Sequence, residues 1–498
     1  MKTKTLFLCL MAVAAACSAQ NVLTPEWVKS KASPVGGNAE SWGIAIDQSG
    51  NFYWTVSVDS SGQGLDILCY KFDADGNSLW TNPFFYGGAS TQHAFACNAK
   101  DTALYIGGRY CPLTGFSCDM LLLKVDKNNG SLIWGKTKDF GYSGYDEVDG
   151  LVVQNDGIYC TGWAQALQTG PYQLDIGLWK VDFNGNTIWS NYFGKASTAE
   201  HQDGHIVIDA NNIYCAGLWD GKSIANAYNG AAFVGKFSKT DGSFIDSTLF
   251  GYPSNALFDA ENALGMATDG TYLYLTGYTT PVDANDWQIF VAKFDKNLQQ
   301  IWYQTWGGSS SEAARGIAVS KGKVFVAGVT QSPEFNLGGA ADAVLLVYDT
   351  TGNFIAYKTW GDTLDNGFRD IAILDDAIYI SGSSGKNLFG GGSSDNGFAM
   401  KVDLSTILTS INEIKPNSYY LNICFNPSYT SNNAVISTNF DLDKATLAIY
   451  NISGEQVFSI PQYKGKQVNL HLENLRKGIY ILFLAKDGQT VAKKFIID

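Results

Sequence analysis

The residues best suited to acid–base chemistry in this 498-residue sequence are carboxylates in short polar segments. Asp146 and Glu147 share one segment, and Glu200 stands beside His201 in another. Two carboxyl groups about 5 to 9.5 Å apart can hydrolyse a glycosidic bond. These four residues are therefore the candidates for a catalytic site. Many other acids stand in similar segments, so spacing alone selects no single pair.

Aromatic and basic residues in similar segments could instead hold a ligand. Flat rings stack on the apolar faces of sugars and peptides, while carboxylates accept hydrogen bonds from hydroxyls or amines. Two arginines among them depart from the internal repeat described below, and such departures favour function over structure. The candidate ligand-binding residues are Tyr110, Trp163, Trp219, Tyr278, Trp287, Arg315 and Arg369.

Metal, nucleic-acid and membrane-spanning functions find little support in the sequence. His201 and His205 are four apart, but in a strand four residues span about 13 Å, too far for one metal ion. No Cys-x-x-Cys pair exists, so we predict no metal site and no cofactor. The formal net charge of −13 argues against binding nucleic acid. After residue 20, no apolar run reaches the roughly 18 residues that span a bilayer.

The N-terminus and two cysteines indicate an oxidising compartment. Two lysines, an apolar stretch from Leu6 to Ala16 and small residues up to Ala19 have the pattern of a secretory signal peptide over residues 1–19. Cys111 and Cys118 flank one short loop. We expect that these two cysteines could form a disulfide there.

A short sequence motif recurs through the middle of the chain and indicates how the chain folds. Each copy has an aromatic residue preceded by an aliphatic residue or Phe, usually with Gly three positions later, at intervals of 51 to 60 residues. A segment in which small and aliphatic residues alternate precedes this motif. A Lys-aliphatic-Asp run and a Trp-bearing segment usually follow it. Each unit is therefore predicted to contain four short strands. The seven aromatic residues are Tyr53, Tyr105, Tyr159, Tyr214, Tyr274, Phe325 and Tyr379.

Seven units of four antiparallel strands predict an all-β fold, a seven-bladed β-propeller. The seventh unit lacks its Trp-bearing strand, and Trp27 lies in a segment before the first unit that resembles that strand. We therefore expect the N-terminal strand to complete the seventh blade and close the ring. In such a ring, the loops after second strands share one face with the links between blades. This top face would carry the candidate residues.

Two resemblances to propeller families follow from these repeats. Residues 22 to about 408 resemble bacterial seven-bladed propeller repeats rich in Asp, Gly, Asn and Tyr, as seen from Asp47 to Tyr53. This resemblance implies a fold rather than an activity. The looser pattern of Asp126, Gly130 and Trp134 is similar to the blades of quinoprotein dehydrogenases. The adjacent cysteines of those enzymes are absent, so we predict no quinone cofactor.

The C-terminal segment, from about residue 419 to residue 498, resembles the sorting domain of type IX secretion cargo in the Bacteroidetes. The matching residues are Asn426-Pro427, Ile449-Tyr450-Asn451 with Gly454, Leu475, Gly478-Ile479-Tyr480 and the closing run from Lys493 to Ile497. The resemblance implies export to the cell surface or medium, with the type IX machinery as a partner. The strand pattern of this segment predicts a small β-sandwich.

These observations predict a signal peptide at 1–19, a propeller at 20–408, a linker at 409–420 and a sorting domain at 421–498. We expect an exported, monomeric, non-catalytic binding or scaffold protein with a glycan or protein ligand on its top face. The alternative is a secreted glycan-active hydrolase or lyase that uses the top-face carboxylates.

Overall fold

The computed structural model describes residues 22–497 apart from a set of excluded positions. Two compact units divide the chain, Met1–Ile407 and Leu408–Asp498. The predicted signal peptide and nearly all of the predicted linker lie outside the described residues. The excluded positions are 63, 89, 113–116, 142–143, 167–173, 195–198, 203, 221–229, 251–260, 281–285, 339, 386–393, 410–420, 426–432, 439–443, 452–455, 464–466, 472–474, 477 and 487–488.

Strands of the first unit form antiparallel sheets from segments that follow one another in the chain. Strand β1 (Trp27–Ala32) comes first, and a short helix, α1 (Leu404–Thr409), comes last. The first sheet contains β2 (Ala39–Ile46), β3 (Phe52–Asp59), β4 (Leu65–Phe72) and β5 (Phe84–Tyr86); the second, β6 (Ser90–Lys100), β7 (Ala103–Pro112), β8 (Asp119–Asp126) and β9 (Leu132–Lys138); the third, β10 (Gly150–Gln154), β11 (Gly157–Ala164), β12 (Asp175–Val181) and β13 (Thr187–Phe193); the fourth, β14 (Ala199–Gln202), β15 (Val207–Ile208), β16 (Asn212–Asp220), β17 (Gly230–Ser238) and β18 (Phe244–Phe250); the fifth, β19 (Asn262–Thr268), β20 (Leu273–Thr279), β21 (Gln288–Phe294) and β22 (Gln300–Trp306); the sixth, β23 (Glu312–Ser320), β24 (Lys323–Thr330), β25 (Asp342–Asp349) and β26 (Phe354–Trp360); and the seventh, β27 (Asp365–Leu374), β28 (Ala377–Gly385) and β29 (Ser394–Asp403).

The N-terminal strand belongs to the seventh sheet within the described part of this unit. β1 pairs antiparallel with β29 in a register that sets Trp27 opposite Lys401. Successive sheets pack against one another, and β27 of the seventh sheet packs against β2 of the first. The unit is therefore all-β and propeller-like. No helix among its described residues has the length and apolar character needed to cross a membrane.

Glycines in the first strand of a sheet allow the neighbouring sheet to approach closely. A Cβ on Gly43 would lie 2.9 Å from backbone atoms of Ala96, and one on Gly265 would lie 2.0 Å from the carbonyl oxygen of Arg315. Distances this short exclude any side chain at both positions. The segments in which small and aliphatic residues alternate are therefore the first strands, which contact the neighbouring sheet.

The recurring tyrosine closes the turn between the first and second strands. In the first sheet, Asp47 accepts hydrogen bonds from the backbone N–H groups of Ser49 and Asn51, both at 3.0 Å. The hydroxyl of Tyr53 donates to the same carboxylate at 3.0 Å. Because the Tyr53 ring is fully buried, its hydroxyl needs such an acceptor. Tyr214 with Asp209 and Tyr274 with Asp269 repeat this bond at 3.0 and 2.8 Å.

Lysine and tryptophan side chains of one sheet donate to the same main-chain oxygen of the next. We call this oxygen the turn carbonyl, because it lies in the turn between the third and fourth strands. Each shared acceptor joins two sheets without a side-chain partner. The last pair below links the seventh sheet to the first. The pairs are Lys71 (2.8 Å) and Trp80 (3.1 Å) to Lys127, Lys124 (2.8 Å) and Trp134 (3.3 Å) to Phe183, Lys293 (2.9 Å) and Trp302 (3.2 Å) to Thr350, and Lys401 (3.0 Å) and Trp27 (3.2 Å) to Ala74.

The second unit contains two antiparallel sheets among its described residues. Leu447, Ile449, Leu482 and Leu484 are fully buried, which gives this unit an apolar core of its own. The three-stranded sheet contains β30 (Leu421–Phe425), β31 (Asn433–Thr438) and β34 (Gln467–His471), and the four-stranded sheet contains β32 (Ala445–Asn451), β33 (Gln456–Tyr463), β35 (Gly478–Lys486) and β36 (Gln489–Ile497).

Candidate functional site

The first strands carry β-bulges at corresponding positions. The pairing register skips one residue between Ala94 and Ala96, between Ala314 and Gly316, and between Phe368 and Asp370. A bulge sets two residues opposite one and turns the extra side chain to a new direction. Six residues hold the bulge position or its sequence equivalent. They are Trp42, Phe95, Asp149, Leu264, Arg315 and Arg369.

Four of these bulge residues line one cavity of about 200 Å³. Aromatic rings and charged groups share its wall, and the residues come from the first, second, third and sixth sheets. We call this space the bulge cavity. Its lining residues are Glu40, Trp42, His93, Phe95, Arg109, Glu147, Asp149, Trp163 and Arg315.

Glu40 is held ionised at one side of the bulge cavity. Its Oε2 accepts a hydrogen bond from the indole N–H of Trp42 at 3.2 Å and lies 3.1 Å from Nε2 of His93. Burial raises the pKa of Glu40, but the hydrogen bond and charge of His93 and the bond from Trp42 outweigh it. The pKa of Glu40 is thereby lowered to about 2. Glu40 therefore fixes Trp42 and His93 as an acceptor.

Arg109 and Glu147 form an ion pair at another side of the cavity, with 2.7 Å between Nη1 and Oε2. Glu147 is buried, so this pair is less screened than one on the surface. The Arg109 guanidinium also lies 5.4 Å from the ring centre of Phe95 and 5.7 Å from that of Tyr145. Arg109 is therefore held by one carboxylate and two rings.

Trp42 lies beside two further guanidinium groups. The guanidinium carbons of Arg315 and Arg369 are 4.7 and 4.6 Å from its ring centre, within the range of cation–π attraction. Burial and the positive charge of Arg315 lower the pKa of Arg369 to about 10, against the opposing pull of Glu40. The indole of Trp42 is thus placed among three charged side chains.

His205 and Asp370 connect the fourth sheet to the seventh. Nε2 of His205 lies 3.1 Å from Oδ1 of Asp370. The other oxygen of Asp370 accepts a hydrogen bond from the backbone N–H of Ile44 at 3.0 Å. The negative charge of Asp370 raises the pKa of His205. Asp370 therefore ties residues of three sheets together beside Arg369.

The structure brings some of the sequence-predicted residues together at this cavity. Glu147, Trp163 and Arg315 line it, and Arg369 contacts its Trp42 ring. Asp146, next to Glu147, does not line it. Both Asp146 oxygens accept backbone N–H groups, from Phe140 at 2.8 Å and Gln165 at 2.7 Å. Burial raises the pKa of Asp146 to about 6. Asp146 thus anchors two loops.

Other predicted ligand-binding residues lie away from the cavity wall. Tyr110 packs against the apolar core between the first and second sheets. The Trp219 ring packs 5.9 Å from Phe193 and 6.3 Å from Phe233. Tyr278 and Trp287 stack on each other with their ring centres 4.5 Å apart.

Three further predicted features lie elsewhere in the first unit. Glu200 and His201 belong to β14, and their side chains lie outside the described part of the chain. Cys111 and Cys118 are joined by a disulfide with an S–S distance of 2.01 Å. Among the described residues, no group of three or more His, Cys, Asp or Glu side chains is placed to hold a metal ion.

Most of the cavity wall was not singled out from the sequence. The missed residues include Glu40, Trp42, His93, Phe95 and Arg109. The available signal was the residue before the small position of each repeat, since Trp42, Arg315 and Arg369 share that phase. Aligning the seven units on that position would have grouped these side chains.

Comparison with known families identifies the second unit. Residues 420–498 match the family model described as the secretion system C-terminal sorting domain. These residues are a type IX sorting domain. The protein is therefore exported across the outer membrane to the cell surface or the extracellular space, with the type IX machinery as the partner of its sorting domain. No curated protein matches the chain.

Several solved structures are distantly similar to this chain. The quinohemoprotein alcohol dehydrogenase from Comamonas testosteroni matches with a TM-score of 0.45 and 12% identity, over 78% of this chain and 77% of that one. The β-propeller domain of the Trilobed protease from Pyrococcus furiosus matches with 0.39 and 10%, over 74% and 95%. The phage phi92 endosialidase matches with 0.39 and 10%, over 94% and 87%. The strand pairing of the first unit is what makes its fold propeller-like.

Proposed function

We propose that this protein is an exported, non-catalytic glycan-binding module, a seven-bladed β-propeller that holds its ligand in the bulge cavity. The single observation that carries the proposal is the composition of that cavity. Its wall combines Trp42, Phe95 and Trp163 with charged groups of both signs. Aromatic faces bind the apolar faces of sugar rings, and charged groups exchange hydrogen bonds with hydroxyls.

The proposed architecture is supported by the strand pairings. Seven sheets among the described residues pack in chain order, and β1 completes the last of them beside the first. This supports a ring of seven blades over residues 20–408. The two sheets of the sorting domain support a β-sandwich over residues 421–498, of the kind typical of secreted Bacteroidetes proteins.

The size of the bulge cavity suits one sugar residue. About 200 Å³ is roughly the volume of seven water molecules at ~30 Å³ each. It is smaller than the ~300 Å³ at which pockets for drug-sized ligands begin. We therefore propose that the cavity receives a single ring at the end or side of a glycan.

The state of the carboxylates favours binding over catalysis. A glycosidase needs a carboxylic acid whose pKa is raised so that it can protonate the leaving group. Glu40 is held at a pKa of about 2, and Glu147 is paired with Arg109. Asp146, a predicted catalytic carboxyl whose pKa is raised, is occupied by two backbone N–H groups and does not line the cavity.

One observation favours the enzymatic alternative. Glu147 and Asp149 both line the bulge cavity, so two carboxylates face the same space. A hydrolase or lyase would use them on a bound glycan. Such an enzyme would release new reducing ends or unsaturated products from a polysaccharide panel, and the loss of turnover in Glu147→Gln would identify it.

The proposal is tested by placing the mature, full-length protein on a glycan array. We expect Trp163→Ala to lower binding to the recognised glycan at least about tenfold, because it removes one aromatic wall. Trp287→Ala is the matched control, since Trp287 stacks on Tyr278 outside the cavity wall. Loss of binding in Trp287→Ala with full binding in Trp163→Ala would place the ligand at the wrong site for this proposal.

A further inference from the structure

Arginine is rare in this chain and is concentrated around the bulge cavity. Only four of the 34 Lys and Arg residues are arginine. Arg109 and Arg315 line the cavity, and Arg369 contacts its Trp42 ring. Lysine supplies the donors to the turn carbonyls instead. A planar guanidinium differs from an ammonium because it stacks on rings and offers two parallel N–H donors to an oxyanion.

Arg315 and Arg369 both lie beside the Trp42 ring, with their guanidinium carbons 4.7 and 4.6 Å from its centre. Arg369 makes no ion pair, and its buried Nε has no hydrogen-bond partner, among the residues that the structure describes. The pKa of Arg369, about 10, leaves it charged at neutral pH.

The nearby carboxylates are already engaged with other groups. Glu40 accepts from Trp42 and lies within hydrogen-bond distance of His93. Asp370, next to Arg369 in the chain, is bound to His205 and to the backbone N–H of Ile44. A buried guanidinium without an ion-pair partner is costly unless an anion reaches it. The Arg369 guanidinium therefore has unused capacity for a ligand oxyanion.

We propose that the ligand residue in the bulge cavity is an acidic sugar, whose carboxylate is bound by Arg369 beside the Trp42 ring. This inference rests on the proposed function and narrows its ligand class. The planar carboxylate matches the guanidinium fork. The sugar ring lies against the aromatic wall, and its hydroxyls donate to Glu147 and Asp149. A peptide C-terminus offers the same carboxylate without ring hydroxyls for these two acids.

Calorimetric titration of the mature, full-length protein tests this inference. D-galacturonate and D-glucuronate are compared with D-galactose and D-glucose, which differ from them only at the carboxylate. We expect each uronate to bind at least about tenfold tighter than its neutral counterpart, as a charge-assisted hydrogen bond provides. Arg369→Gln should remove this preference, so that each uronate binds no tighter than its neutral counterpart.

Two further variants keep the test decisive. Arg369→Lys retains the positive charge but lacks the two parallel N–H donors of the guanidinium, so it should keep part of the preference for uronates. If thermal unfolding shows that Arg369→Gln is misfolded, Arg369→Lys takes its place in the test. Arg476→Gln, in the sorting domain, is the matched control and should change nothing.

The two proposals fail in different ways. If acidic and neutral sugars bind with equal affinity and Trp163→Ala abolishes the binding of both, the proposal of an acidic ligand is wrong and the glycan-binding function stands. Binding of acetyl-trialanine with a free C-terminus, but not of its amide or of any sugar, would overturn both. A uronate preference unchanged in both Arg369 variants would also overturn the assignment of the carboxylate to Arg369.

Discussion

Replacing Trp27 with alanine should weaken the junction between the seventh sheet and the first. The Trp27 ring lies 5.8 Å from Phe52, 6.3 Å from Phe72 and 6.1 Å from Tyr379. Its indole N–H donates to the turn carbonyl of Ala74 at 3.2 Å. These contacts join β1 to the first sheet and to the seventh, so they are the ones that close the unit.

The expected cost follows from these contacts. Truncating a buried Trp to Ala costs about 3 to 5 kcal/mol, and Trp27 is half-buried, so we expect about 3 kcal/mol including about 1 for the hydrogen bond. At about 2.1 cal/mol/K per residue, a unit the length of residues 22–407 has an unfolding entropy of about 0.8 kcal/mol/K. The thermal midpoint should therefore fall by about 4 °C.

Calorimetry of three variants separates the contributions at this junction. Trp27→Phe keeps an aromatic ring but loses the N–H donor, so it should cost about 1 kcal/mol. Trp189→Phe is the matched control, because the indole N–H of Trp189 has no hydrogen-bond partner among the described residues. Equal effects of the two Phe variants would refute the role of the turn carbonyl. A midpoint for Trp27→Ala no lower than that of Ile188→Ala, at a side chain 50% exposed, would refute closure through β1.

Two further predictions concern the hydrogen-bond network of Glu40 and the disulfide between Cys111 and Cys118. Because the folded pKa of Glu40 lies below its unfolded value, its contribution to stability is present above about pH 4.5 and is lost as pH falls towards 2. Urea unfolding at pH 7 and pH 3 should therefore show the stability advantage of the wild type over Glu40→Gln shrinking by about 2 kcal/mol, and an unchanged advantage would contradict the paired state of Glu40. Replacing Cys111 and Cys118 together with serine should cost about 2 kcal/mol, since the disulfide closes a short loop. Reductant should lower the midpoint of the wild type and leave that of the double variant unchanged, whereas equal sensitivity would argue against this disulfide in solution.

The fold was largely predictable because its determinants repeat. Most units carry a tyrosine, a lysine and a tryptophan at a nearly fixed spacing, and these residues bind the turn and the neighbouring sheet. A residue that serves every sheet leaves a period in the sequence. Trp27 was recognisable as the missing fourth strand of the seventh sheet because it supplies the same indole donor as Trp80.

The candidate site was harder to predict because its residues differ from sheet to sheet. Trp42, Phe95 and Arg315 share a position but no chemistry, and their common direction comes from a bulge that appears only in the strand register. Asp146 illustrates the opposite problem. Its type and neighbourhood indicated catalysis, whereas its partners are main-chain N–H groups, which leave no residue-specific signal.

The turn carbonyl has a consequence for how a propeller-like fold can change in evolution. At the four junctions that have this arrangement, one sheet brings both donors, and its neighbour contributes only an oxygen that every amino acid possesses. A duplicated or exchanged unit could dock without any compensating substitution in the unit that receives it. Selection would then be free to diversify the bulge residues one sheet at a time. The receiving residues already differ in size and polarity: Ala74, Lys127, Phe183 and Thr350.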